Sequence, residues 1–127
     1  MEKMAGITEK EIQIYHHGRA LYGIVTMPAG SGKVPMVVFS HGYNGTADGL
    51  KRYAEYFAER GTGSVRYDFC GGSVRSRSSM ATTDMTVFTE KQDLEAVFDT
   101  MAGWERTDAE RLFLFGESQG GLVSALA

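Results

Sequence analysis

One stretch near the C-terminus constrains the fold of this 127-residue chain more than any other. An apolar run at residues 112–115, the length of one buried strand, leads directly into a G-x-S-x-G sequence, Gly116-Glu117-Ser118-Gln119-Gly120. The apolar residues from Leu122 onward then begin a helical pattern. Strand, G-x-S-x-G and helix together predict a tight, strained turn, because side chains at either glycine would collide with the strand or the helix.

Such a turn has a chemical use. It would hold the Ser118 hydroxyl clear of the backbone, where the first N–H groups of the following helix favour a developing negative charge. Ser118 is therefore a candidate nucleophile, and the backbone N–H of Gln119 is a candidate oxyanion donor. The alternative is that Ser118 only caps the helix. The strand before it and the helix after it favour the nucleophile.

The composition excludes several functions. Thirteen basic and sixteen acidic residues give a net charge of −3, so we expect no nucleic-acid partner. The N-terminus has no apolar signal core, and no apolar run approaches the length of a membrane span, so we expect a cytoplasmic protein without membrane contact. The one cysteine, Cys70, excludes a disulfide within the chain and is expected to be a loop or core thiol rather than a nucleophile.

The N-terminal part predicts an antiparallel hairpin. Residues 9–15 alternate between apolar and polar, residues 20–27 form a second apolar strand, and His16-His17-Gly18-Arg19 forms the turn. A metal-binding or catalytic role for the two histidines is the alternative, but we expect them to lie in a solvated turn.

The remaining elements alternate between strands and helices, which predicts an α/β fold with an open, mostly parallel sheet: a hairpin followed by parallel β-α-β-α-β-α. The chain is expected to form one domain over residues 1–127, without a cofactor or metal. In order, the predicted elements are a strand at 36–40, a helix over 50–58 ended by Gly61, a strand at 64–67, a loop over 69–85, a helix introduced by a capping box at Thr89-Glu90-Lys91-Gln92, and the strand at 112–115.

A second glycine-marked loop, His41-Gly42-Tyr43, follows the first core strand. Sites in such sheets lie beyond the carboxyl ends of the strands, so this loop and the Ser118 turn are predicted to converge on one crevice. The N–H of Tyr43 is then the second candidate oxyanion donor, and Gly42 permits close approach of the backbone. We expect His41 to brace the loop rather than to act as a base, because the base in this arrangement follows the nucleophile in sequence.

Over essentially its whole length the chain resembles the N-terminal half of an α/β-hydrolase. Ser40-His41-Gly42-Tyr43 resembles the family's oxyanion loop, and Gly116-Glu117-Ser118-Gln119-Gly120-Gly121 resembles its nucleophile elbow. The loop at Arg66-Tyr67-Asp68-Phe69 resembles a family turn only loosely. Within the family, the chain is most similar to feruloyl/cinnamoyl-type carboxylesterases. The resemblance implies a serine esterase that acts on a small ester through an acyl-enzyme on Ser118. A serine peptidase of prolyl-oligopeptidase type remains the alternative.

One departure from the family pattern is large. The family order is serine, acid, histidine, yet nine residues follow Ser118 and none is Asp, Glu or His. A parallel crossover needs about a dozen residues, so the C-terminal half of the sheet is expected to be missing and the chain to be inactive alone. A catalytically incomplete module that persists through oligomerisation is the third alternative. The strand formed by Leu112, Phe113, Leu114 and Phe115 is predicted to be an exposed edge that mediates self-association.

Overall fold

The computed structural model describes residues 6–42, 45–71, 75–78, 85–116 and 119–126. Within these ranges, five strands form one mixed sheet in the order β1-β2-β4-β3-β5, with three α-helices packed on it. The elements are β1 (Thr8–His16), β2 (Arg19–Met27), β3 (Val34–Ser40), a 3₁₀ turn (Ala47–Leu50), α1 (Lys51–Glu59), β4 (Gly63–Tyr67), α2 (Val87–Ala102), β5 (Thr107–Gly116) and α3 (Gln119–Leu126). The predicted hairpin and the alternating strands and helices are confirmed.

The strand register aligns the carboxyl ends of the parallel strands. Strand β3 runs parallel to both β4 and β5, and Ser40 at its end pairs with Tyr67 on one side and with Gly116 on the other. Strand β2 is antiparallel to β4, so the residues that begin β2 lie at this same end of the sheet. The loops after β3, β4 and β5 therefore all leave from one edge, where the sequence predicted a crevice.

The sheet is covered on both faces, as the continuous apolar strand β3 requires. On one face Val38 packs in the main core with Leu94 of α2 and Val123 of α3. On the other face Phe39 packs with Ala54 of α1. The alternation of neighbouring β3 residues between the two cores follows from the two-residue period of a strand.

The start of α2 differs from the sequence prediction. Its N-cap is Thr86, whose side chain accepts a hydrogen bond from the Thr89 N–H at 3.1 Å, while the Thr89 hydroxyl accepts one from the Thr86 N–H at 2.8 Å. The predicted capping box that began at Thr89 is therefore wrong by one turn. Threonine can occupy either end of this reciprocal pair, and the S/T-x-x-E/Q pattern does not separate the two registers.

Strand β5 is longer than predicted and lies at an edge of the sheet. It begins at Thr107, which pairs with Val34, and the register shifts before Leu112 pairs with Met36. None of the described strands pairs with its outer side. The predicted edge position of residues 112–115 is therefore confirmed. Among the described residues, no helix combines the length and apolar character that crossing a bilayer requires.

Candidate active site

The start of α3 packs directly on the end of β3. Gly120 is buried, and a Cβ added to it would lie 2.3 Å from the carbonyl oxygen of Ser40 and 2.6 Å from that of His41. Both distances are shorter than any real Cβ contact, and both partners are backbone atoms that cannot rotate away. Glycine is therefore required at position 120, and its absence of a side chain brings the two glycine-marked segments into contact.

His41 is held by hydrogen bonds at both ring nitrogens. Its Nε2 accepts from the Phe69 N–H at 3.0 Å, and its Nδ1 lies 2.7 Å from the Gly42 carbonyl oxygen. Because the nitrogen that accepts cannot carry the proton, the ring is the neutral tautomer and Nδ1 donates. The ring is 2% exposed and meets Phe69 edge to face at 4.8 Å. This is the geometry of a side chain that braces the loops after β3 and β4.

The turn after His41 is closed by its glycines. The carbonyl oxygen of Gly42 also accepts a hydrogen bond from the Gly45 N–H at 3.1 Å. A Cβ on Gly45 would lie 3.1 Å from that oxygen and 3.3 Å from Nδ1 of His41, so a larger residue would press on the turn. Tyr43, the candidate oxyanion donor within this turn, lies outside the described residues, and its role stays a prediction.

Ser118 also lies outside the described residues, but the elements on both sides of it are placed. Strand β5 ends at Gly116 and α3 begins at Gln119, which confirms the predicted strand before Ser118 and the predicted helix after it. As the first residue of a helix, Gln119 has a backbone N–H without a partner inside the helix. The assignment of Ser118 as nucleophile and of Gln119 as oxyanion donor stays a prediction.

A buried hydroxyl pair supports the end of β3. The Ser40 Oγ and the Tyr67 hydroxyl lie 2.7 Å apart, and both residues are fully buried. Burial raises the pKa of Tyr67 well above its usual value, even though the hydrogen bond with Ser40 acts in the other direction. Tyr67 is therefore neutral and ties β4 to the residue against which Gly120 packs.

Asp68 and Arg77 form a polar lock that sequence reasoning missed. Oδ1 of Asp68 accepts from the Ala47 N–H at 2.7 Å, and Oδ2 accepts from the backbone N–H and the Nε of Arg77, both at 2.9 Å. Burial alone would raise the pKa of Asp68, but the bonds from Arg77 and Ala47 outweigh it and lower the pKa. The lock joins the loop after β4 to the 3₁₀ turn after β3. The only sequence signal was the loosely family-like segment at Arg66-Tyr67-Asp68-Phe69.

The expectation of a solvated turn is wrong for His16. His16 is the last residue of β1, its side chain is 9% exposed, and its Nε2 lies 2.8 Å from Oδ1 of the fully buried Asp93. His17 is exposed and has a φ of 48°, so the turn itself contains only His17 and Gly18. The partner of His16 is on α2, far away in sequence, and a local pattern gives no sign of it.

Burial dominates the titration of the groups around Asp93. It raises the pKa of Asp93 and lowers that of His16, although their mutual attraction acts the other way. The neighbouring Cys70 donates its backbone N–H to Oδ2 of Asp93 at 2.8 Å, and burial raises the pKa of its thiol to about 12. Cys70 is therefore a protonated, buried thiol at neutral pH, as the sequence predicted, and not a nucleophile.

Two grooves of about 480 Å³ each lie beside β5 rather than at the end of the sheet near His41. One is lined by Leu94, Glu95, Phe98, Asp99 and Leu114, and the other by Arg52, Tyr53, Tyr56, Phe57 and Phe115. They lie where the two helical layers extend past the edge strand. They are features of the uncovered edge, not of the crevice that the glycine-marked loops define.

Solved structures with the same fold include an α/β-hydrolase and two esterases named as such. DcsB in complex with its substrate analogue matches with a TM-score of 0.81 and 22% identity over 93% of this chain and 40% of its own. Est1E from Butyrivibrio proteoclasticus with bound ferulic acid matches with a TM-score of 0.80 and 25% identity over 88% and 44%. The Pyrococcus furiosus esterase Pf2001 matches with a TM-score of 0.76 and 21% identity over 98% and 48%. The fold is thus the N-terminal part of an α/β-hydrolase.

The sequence comparison identifies the family more closely. The family described as Hydrolase_4, serine aminopeptidase, S33, matches residues 33–127, which are most of the chain. The chain belongs to this family of α/β-hydrolases. The comparison with curated proteins found no match to the sequence. The chain spans less than half the length of the similar structures above.

Proposed function

We propose that this chain supplies the nucleophile and the oxyanion donors of a serine hydrolase that cleaves carboxylic esters. The observation that carries the proposal is the contact of Gly120 with the backbone of Ser40 and His41. It joins the start of α3 to the carboxyl end of β3, and this supports a site in which Ser118, two residues before Gly120, acts together with Tyr43, two residues after His41.

The proposed reaction follows acyl transfer to serine. The Ser118 hydroxyl attacks the ester carbonyl carbon while a histidine from outside this chain takes its proton and then gives it to the leaving alcohol. The backbone N–H groups of Tyr43 and Gln119 stabilise the oxyanion, and water hydrolyses the acyl-enzyme. His41 takes no part in proton transfer in this scheme. Its two nitrogens already hold the loops after β3 and β4.

The proposed substrate is a small ester of the feruloyl or cinnamoyl type. Est1E, which has ferulic acid bound, is the similar structure that supports this choice, at 25% identity. The alternative is a serine peptidase related to prolyl oligopeptidases. The family description, serine aminopeptidase, favours that alternative. The two differ in the bond cleaved, so a substrate panel separates them.

The experiment has two arms. In the first, the 127-residue chain alone should hydrolyse p-nitrophenyl acetate little faster than its Ser118→Ala variant, since a serine without a base is a weak nucleophile. In the second, the chain joined to a segment that supplies the triad acid and histidine is given p-nitrophenyl acetate, methyl ferulate and an aminoacyl p-nitroanilide. We expect ester hydrolysis that Ser118→Ala lowers by on the order of a millionfold.

Ser124→Ala is the matched control, because Ser124 lies on the same helix and should not touch the substrate. Ester turnover that survives Ser118→Ala would refute the nucleophile assignment. Cleavage of the anilide with little ester hydrolysis would favour the peptidase.

A further inference from the structure

We propose that His16, Cys70 and Asp93 form a binding site for a zinc ion, separate from the esterase machinery. These residues come from the end of β1, the loop after β4, and α2. Each offers one atom, and the three atoms all lie within 4.8 Å of one another. Cys70 and Asp93 are fully buried, and His16 is nine-tenths buried.

The contact between His16 and Asp93 is a close ion-pair contact with poor hydrogen-bond geometry. Nε2 of His16 lies 2.8 Å from Oδ1 of Asp93, yet among the described residues this nitrogen has no partner in hydrogen-bonding geometry. A buried polar atom without a hydrogen bond is unfavourable and calls for an explanation. A cation bound by both atoms would satisfy the nitrogen and the carboxylate oxygen together.

The donor set selects zinc. Thiolate sulfur, imidazole nitrogen and carboxylate oxygen are the three ligand types that Zn²⁺ binds, at about 2.3, 2.0 and 2.1 Å. The three atoms lie within 4.8 Å of one another, whereas the edges of a tetrahedral zinc site are about 3.5 Å, so the side chains would adjust by about 1 Å on binding, and solvent would complete the fourth position. Binding replaces the Cys70 S–H bond by a Zn–S bond and releases the thiol proton to solvent. The weak contact of that thiol with the Ala20 carbonyl, at 3.8 Å, is lost in the same step.

The surroundings leave the ligand atoms available. The Cys70 N–H donates to Oδ2 of Asp93 at 2.8 Å and so leaves Oδ1 for the ion. Arg19 lies 3.5 Å from Oδ1, and its closer contact is with Oε1 of Gln92 at 2.9 Å. The guanidinium therefore has an anchor other than Asp93 when a cation occupies the cluster. The positive charge of Arg19 should lower the affinity of the cluster for a cation.

An ion here would cross-link three parts of the fold that no disulfide can join. It would tie the tip of the hairpin and α2 to Cys70, whose neighbour Phe69 donates its N–H to His41. The expected consequence is a more rigid loop behind the candidate active site. The proposal does not depend on the esterase assignment, because none of the three ligands belongs to the proposed catalytic machinery.

Cobalt titration of the metal-free 127-residue chain tests the site. Cys70 is the chain's one cysteine, so a thiolate-to-Co²⁺ charge-transfer band in the near ultraviolet reports this residue alone. We expect the band to appear with one equivalent of Co²⁺ and to disappear when Zn²⁺ displaces it. Cys70→Ser should abolish the band. His16→Asn should weaken Zn²⁺ binding by more than the roughly 10- to 100-fold that loss of a group supporting a ligand costs.

His17→Asn is the matched control. His17 is the exposed neighbour of His16, and asparagine tolerates its φ of 48°. Because Nδ1 of His17 lies 3.1 Å from Nδ1 of His16, this variant should weaken Zn²⁺ binding by no more than about 10- to 100-fold, and Ser118→Ala should leave binding unchanged. Absence of the charge-transfer band in the folded, unaltered chain, verified by circular dichroism, would overturn the proposal without any variant. Equal loss of affinity in His16→Asn and His17→Asn would also overturn it.

Discussion

The two edges of the sheet meet solvent in opposite ways. Strand β1 carries the charged residues Glu9, Lys10 and Glu11 at its outer end, all exposed. Strand β5 presents Phe113, 54% exposed, and Leu114, 38% exposed. A charged edge resists pairing with another chain, whereas an apolar edge with unpaired N–H and C=O groups invites it. The two edges therefore differ in what they present to solvent: β1 presents charge, and β5 presents apolar side chains.

The side-chain contacts on the two sides of the sheet also differ in being polar or apolar. On the β1 side of the sheet, the nearly buried Arg66 of β4 reaches Glu9 of β1 at 2.7 Å, and in the loop after β4 Asp68 pairs with Arg77. Beside β5, the contacts are between aromatic rings, such as Phe115 with Phe39 at 5.1 Å. Charged hydrogen bonds require a particular geometry and so specify one arrangement of the chain. Apolar contacts are less directional, and their strength depends mainly on the area removed from water. Changes near β1 should therefore affect folding, and changes on β5 should affect association.

The largest expected effect is on folding. Asp68→Asn replaces an acceptor oxygen by an amide and leaves Arg77 or Ala47 without its partner, so we expect the free energy of unfolding to fall by about 3 kcal/mol. Urea unfolding at low protein concentration measures it. Asp108→Asn is the control, since Asp108 also pairs with an arginine but on exposed β5, and its loss should have little effect. Equal destabilisation by the two substitutions would contradict the contrast.

The next effect is on association. We propose that the 127-residue chain self-associates through β5, and Phe113→Lys should weaken that association by about tenfold or more, because it places a charge on the apolar edge. Sedimentation velocity over a concentration series measures it. Tyr15→Lys is the control: Tyr15 is 74% exposed on β1, and its substitution should leave the association unchanged. A chain that stays monomeric at high concentration would refute self-association through this edge.

The smallest effect is the pH dependence of the polar lock. The pKa of Asp68 is lowered in the folded state, so its contribution to stability is complete above the ordinary aspartate pKa of about 3.9 and is lost as the pH falls through the folded-state value. Stability should therefore decline from about pH 5 downward, and less steeply in Asp68→Asn. Urea midpoints at a series of pH values measure both slopes. Parallel curves for the two proteins would show that another group controls acid unfolding.

Elements with a local signal were predictable from the sequence. The continuous apolar residues of β3 indicated a strand buried on both faces, and the G-x-S-x-G spacing indicated the turn between β5 and α3. Thr89 shows where local reasoning fails, because a threonine pattern fits two positions of the same helix start. The length of β5 was missed for a similar reason, since residues 108–111 include three charged side chains and do not show the apolar alternation of a strand.

By itself, the sequence determined the order of the elements, the strand before position 118 and the helix after it, and the apolar character of the strand that became an edge. These depend on residues close together in the chain, whose periodicity and steric limits act locally. Only the tertiary structure decided that Gly120 touches the end of β3 and that His16 meets Cys70 and Asp93. Those contacts join residues from distant segments, and the strand order and register determine which of them meet. The strand order and register are selected because they bury the most apolar surface over the whole sheet. No single segment therefore determines them.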